Sequence, residues 1–124
     1  MTNLTDLTID TLVINSETIH PWESQAMTAT GNITIKNGVV TLSKAAAPLA
    51  AALAAPVATT DDYKRLVIVC LGDAGQAHTV TPAGGIGGSA ATVCSSSTVV
   101  GDTLELMAYQ GLWYVVGFNQ WTFA

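Results

Sequence analysis

Positive charge is scarce in this chain. Lys36, Lys44, Lys64 and Arg65 are its only fixed cations, set against nine aspartates and glutamates for a formal net charge of −5 at pH 7. A protein that grips a phosphate backbone needs several clustered cations, so no nucleic-acid partner is expected. Charge of either sign is sparse, at 10% of residues, while 49% are hydrophobic. The surface must therefore be covered by Thr, Ser, Asn, Gln and Gly or by other subunits, because large exposed apolar patches on soluble proteins tend to mark contacts.

Long unbroken apolar runs are missing as well. Pro48 and Pro56 interrupt the alanine-rich stretch at 45–58, so no membrane span is expected. The opening Met1-Thr2-Asn3-Leu4-Thr5-Asp6 has no basic region ahead of an apolar one, which points towards synthesis in a cytosol rather than export. Cys70 and Cys94 are the only cysteines. In a reducing compartment they are expected as buried thiols, and with no histidine beside either they do not complete a zinc site.

Catalytic wording is scarce too. Gly84-Gly85-Ile86-Gly87-Gly88 suggests a phosphate loop, but position 90 is Ala where the dinucleotide fingerprint has its third glycine. No Lys-Ser/Thr follows, as a Walker loop requires, so a flexible surface loop is the expectation. Asp61-Asp62 offers carboxylates to a hard cation, yet aspartate also favours turns by bonding its own backbone. The turn reading is taken. His78 sits among threonines and His20 precedes Pro21; neither lies in a nucleophile-elbow pattern, and His78 is read as a hydrogen-bonded structural residue. No enzyme activity, catalytic residue, metal or cofactor is expected.

What is present is strand and turn wording. Leu104, Leu106 and Ala108 alternate with Glu105 and Met107, the period of a half-buried strand. Gln110-Gly111 supplies a tight turn, and Leu112–Val116 returns with the β-branched and aromatic residues that suit a pleated surface. Trp113 shares a face with Val115 and should point inward. Ile33-Thr34-Ile35 and Val39–Leu42 flank Lys36-Asn37-Gly38, which predicts a second hairpin, since Asn-Gly is a strong turn signal. Leu66–Leu71 reads as a central strand buried on both faces, Ala77–Thr81, Ala91–Cys94 and Val99-Val100 as short strands, and Thr59–Asp62 as a turn. The alanine-rich stretch is too short for a stable helix and is read as a strand or irregular crossing.

The length of 124 residues suits one domain plus an arm. The arm is assigned to 1–31 and the body to 32–124. Leu7, Ile9, Leu12 and Ile14 alternate imperfectly with Thr, Asp and Asn. The arm is either an extra strand of its own domain or a segment laid across a neighbour by strand addition. Chain ends are normally polar and loose, so the aromatic tail Phe118–Phe123 should be docked on its own domain or a neighbour. The fold expected is all-β: a small antiparallel β-sandwich or barrel, jelly-roll-like, with an extended N-terminal arm.

Asp61-Asp62, Ala77-His78-Thr79-Val80-Thr81, the hairpin from Gly101 to Gly117 and its Trp113-Tyr114-Val115 together give the chain its resemblance. From about residue 33 to 118 it resembles the small decoration, or cement, proteins that stud the heads of tailed bacteriophages. That resemblance implies a homotrimer on the capsid exterior, bound to the major capsid protein. Leu7, Ile9, Leu12 and Ile14 are the candidate capsid contacts, and Trp22, Trp121 and Phe123 the candidate subunit interface. The rival reading is a tail-fibre or spike module that binds host carbohydrate through Trp113, Tyr109 and Tyr114. A short chain without a repetitive shaft favours decoration.

Overall fold

A computed structural model describes residues 12–14, 17–44, 46–71 and 76–124, with 12–14 and 17–19 described as backbone alone. Twelve strands and no helix occur among these residues: β1 Leu12–Ile14, β2 Glu17–Ile19, β3 Glu23–Met27, β4 Gly31–Ile33, β5 Gly38–Leu42, β6 Ala50–Leu53, β7 Arg65–Cys70, β8 Thr79–Pro82, β9 Cys94–Ser95, β10 Thr103–Tyr109, β11 Leu112–Asn119 and β12 Thr122–Phe123. They form two five-stranded sheets, β11-β10-β7-β5-β3 and β12-β9-β8-β6-β4, and a separate β1-β2 ribbon. The all-β sandwich expected from the sequence is the architecture observed.

Both sheets are mixed rather than purely antiparallel. From β3 to β8 the chain changes sheet at every strand, so β3, β5 and β7 run parallel in one sheet and β4, β6 and β8 run parallel in the other. Parallel neighbours need a long crossover. Here each crossover contains a strand of the opposite sheet, which turns this half of the molecule into a two-walled spiral. The last strands are antiparallel, with β10 pairing β7 and β11 on its two sides.

The hairpin expected around Asn37-Gly38 is therefore a corner. Gly31–Ile33 and Gly38–Leu42 lie in different sheets. Gly38 sits at φ +146°, and a Cβ there would overlap the backbone of Glu23 in the adjoining β3. Asn37 ties the corner down: its Nδ2 donates to the carbonyls of His20 (3.3 Å) and Pro21 (2.8 Å), and its Oδ1 accepts from Arg65 N–H (3.0 Å). An asparagine bonding to three separate backbone groups sets a junction between strands rather than a tight reversal.

One apolar core lies between the sheets. Val40, Leu42, Leu66, Ile68, Leu104, Leu106 and Trp113 from the first sheet meet Ile33, Leu53, Val80 and Cys94 from the second. Alternation selects them. In β7, Leu66, Ile68 and Cys70 are buried while Val67 and Val69 are half-buried, so this strand is central in its sheet but one-sided in burial. Val99 and Val100 fall in a bend and turn rather than a strand, where the Asp102 carboxylate accepts from Ser97 N–H at 2.6 Å.

The first sandwich strand, β3, lies within the segment assigned to the arm. Ahead of it, β1 and β2 pair only with each other, Leu12 opposite Ile19. Leu12 and Ile14 thus belong to a ribbon that extends neither sheet. Leu7 and Ile9 lie outside the described residues.

Candidate interaction surfaces

The polar residues singled out in the sequence are spent on structure. Asp61 is buried in the turn before β7, where its carboxylate meets Lys36 Nζ at 2.9 Å and Lys64 Nζ at 2.8 Å and accepts Val57 N–H at 2.7 Å. Burial alone would raise this carboxyl; the two ammonium groups and the amide outweigh it and hold it well below the ordinary carboxylate range. Asp62 accepts from Thr59 N–H and from Gln110 N–H and Nε2, at 3.1, 2.8 and 2.6 Å. The acidic pair therefore fastens the turn to Lys36 before β5 and to the β10–β11 hairpin. Among the described residues no group of three or more His, Cys, Asp or Glu could hold a metal.

His78 is fully buried, accepts Leu49 N–H at Nδ1 (2.8 Å), and donates its own N–H to Ser96 Oγ (2.8 Å). It joins β8 to the segments before β6 and after β9, the structural role read from its sequence context. Cys70 and Cys94 are both buried and form no disulfide, and burial pushes the Cys94 thiol up to about 11.

Three amides of the glycine-rich loop are bonded within the fold. Gly85 N–H donates to Pro82 O, Ile86 N–H to Ala91 O and Gly87 N–H to Trp113 O, at 3.0, 3.0 and 2.8 Å, and Ile86 is buried in the core. Those amides are engaged within the chain. A phosphate cradle needs such donors unengaged.

Aromatic residues divide into two sets. Trp113 is fully buried and donates Nε1–H to Ala54 O in the opposite wall at 2.9 Å, so it is no stacking surface for a sugar. Tyr114 is half-buried. Trp121 lies in the core of the sandwich, and Phe123 packs on that core with an edge-to-face contact to Phe118 at 5.0 Å. The tail is held there because Ala124 exchanges backbone hydrogen bonds with Val93 and accepts Thr92 N–H. Of the three residues proposed for a subunit interface, only Trp22 is displayed, at 59% exposure.

Two surfaces remain open. The first is the outer edge of β11. Its Leu-Trp-Tyr-Val-Val-Gly-Phe-Asn sequence carries no charge and no proline. Gly87 covers the edge at Trp113, but no backbone partner occupies it from Val115 to Asn119 among the described residues. A register shift opposite Glu105 and Leu106 leaves Val116 as an extra residue, and Val116 and Phe118 are exposed. By contrast β3, the other edge of this sheet, carries Glu23 and is guarded by Gln25, whose side chain bonds Asn32 O and Thr34 N. Edges of the second sheet are only two and three residues long. The Val116 bulge is the one such guard on β11, and an uncharged edge without a partner is a template for pairing.

The second surface is an aromatic pair that sequence reading did not find, because Tyr63 and Tyr109 are 46 positions apart. Their ring centroids lie 5.8 Å apart at 40°. Tyr63 adopts φ +70°, as does Thr59 in the same turn, a left-handed conformation that is unusual for a bulky residue and costs on the order of 1–3 kcal/mol. Tyr63 N–H to Ala108 O (2.7 Å) and Ala108 N–H to Lys64 O (2.8 Å) hold it there. A shallow concavity on the outer face of β4-β6-β8, near Ala52 and Thr81, presents no charged side chain.

Compared with known proteins, no family model, curated protein or solved structure matches this chain.

Proposed function

We propose that this chain is a structural decoration protein of a phage head, working as a homotrimer on the capsid exterior and binding the major capsid protein. The observation that carries the reading is the open β11 edge, uncharged and flanked by exposed Val116 and Phe118, which suits association between copies. The charge-poor composition points the same way. Trp22 is a second contact candidate, and the arm with Leu7, Ile9, Leu12 and Ile14 is the proposed capsid contact. The mechanism is mass action: a protein that binds only the assembled shell stabilises that state, and three linked copies raise one another's effective concentration at the lattice.

Deleting residues 1–15 and sedimenting the product with emptied, expanded phage shells tests the arm. The full chain should pellet with shells, while the truncated chain should stay in the supernatant and remain a folded trimer. Equal pelleting of both would place the contact elsewhere. A full chain that ignores shells would remove the decoration reading.

A further inference from the structure

We propose that the Tyr63–Tyr109 pair is a binding site for neutral carbohydrate, with the tyrosine rings stacking against the faces of pyranose units. The inference goes beyond the capsid reading and does not depend on it.

Exposure comes first. Tyr63 is 68% and Tyr109 42% exposed, and their paired rings lie at the turn end of the β10–β11 hairpin. Tyrosine at φ +70° is the second observation: glycine or asparagine would serve this turn without strain. What tyrosine adds there is an exposed ring carried on a backbone that hydrogen bonds hold in place. Rings of this kind give large amphipathic contact area at little entropic cost.

Chemistry at the rim selects the ligand. The Asp62 carboxylate holds both the backbone and the side-chain amide of Gln110, which fixes that side chain close to Tyr109. Among the described residues, no hydrogen bond engages Gln110 Oε1 or either phenol oxygen. These groups suit sugar hydroxyls, while the ring faces suit the apolar C–H face of a pyranose. The neighbouring cations, Lys64 and Arg65, are paired with Asp61 and Glu105. A phosphate or sulfated ligand would therefore find a carboxylate and no uncommitted positive partner, which favours a neutral glycan over an anionic one.

The test uses the full chain. Saturation-transfer NMR with maltotetraose, cellotetraose and chitotriose, with a microarray of neutral oligosaccharides, should show at least one ligand binding at about millimolar strength. Tyr63→Gly relieves the left-handed strain while removing the ring, so it should fold with an unchanged or higher melting temperature and lose binding about tenfold or more. Tyr109→Thr should lose binding likewise, and Tyr63→Phe should retain it. No binding by any probe at about 10 mM, or binding unchanged in the Tyr63→Gly and Tyr109→Thr variants, would overturn the proposal. So would a change of oligomeric state in those two variants without glycan binding by the wild type, which would make the patch a contact between copies.

Discussion

Trp113 and Asp61 show how single residues join parts of the chain far apart in sequence. Trp113 fills the core and hydrogen-bonds across to Ala54, so Trp113→Ala removes both a large buried surface and a bond to the opposite wall. The expected loss is about 3–5 kcal/mol, on the order of 10–20 °C in melting temperature for a domain of this size. Differential scanning calorimetry reads it, and a shift of only a degree or two would contradict the burial. Asp61 makes a pH-dependent contribution. Its folded carboxyl titrates below the ordinary value of 3.8, so its stabilisation is complete above about pH 5 and is lost as pH falls towards the folded-state value. Asp61→Asn should cost about 2–3 kcal/mol near neutrality, less than a fully buried pair because both lysines reach water. Chemical denaturation from pH 7 to pH 3 should show the gap between wild type and variant closing, and a constant gap would contradict it.

At the scale of elements, local patterns were legible and sheet partners were not. The β10–β11 hairpin was readable because Gln110 and Gly111 both take positive φ, at 47° and 84°, as a two-residue turn between twisted strands demands. Trp113 was readable as buried from the same alternation. Asn37-Gly38 carries similar turn wording, but what Gly38 accommodates is the close approach of Glu23, a parallel neighbour that local sequence does not reveal. The bonding of the glycine loop escaped notice for a like reason, since its amides bond to Ala91 and Trp113 across the fold. Tyr63 gave no signal because left-handed strain shows only in the folded backbone. The open edge yields a prediction at this scale. Val116→Lys with Asn119→Lys adds charge to exposed positions of β11 while sparing the Phe118–Phe123 pair. The fold should change by no more than about 0.5 kcal/mol per site, whereas sedimentation velocity should show association lost. Unchanged assembly would move the interface away from β11.

The whole molecule combines a parallel two-walled spiral with an antiparallel hairpin that ends in an open, uncharged edge. Asn37, Asp61, Asp62 and Asp102 act as fasteners in turns, and with charged residues at 10% of the chain the exterior has few charges to discourage contact. The proposed cement function asks for a body that self-associates and is linked to the lattice by a separate segment, and the open β11 edge is the feature that suits the first of these. The most direct measurement is cryo-electron microscopy of the native particle that contains this chain. The account predicts three copies of the sandwich around each occupied threefold position on the outer face of the head, joined through β11, with the arm against the major capsid protein. Density for the chain at a tail tip or fibre, or its absence from the head, would contradict it.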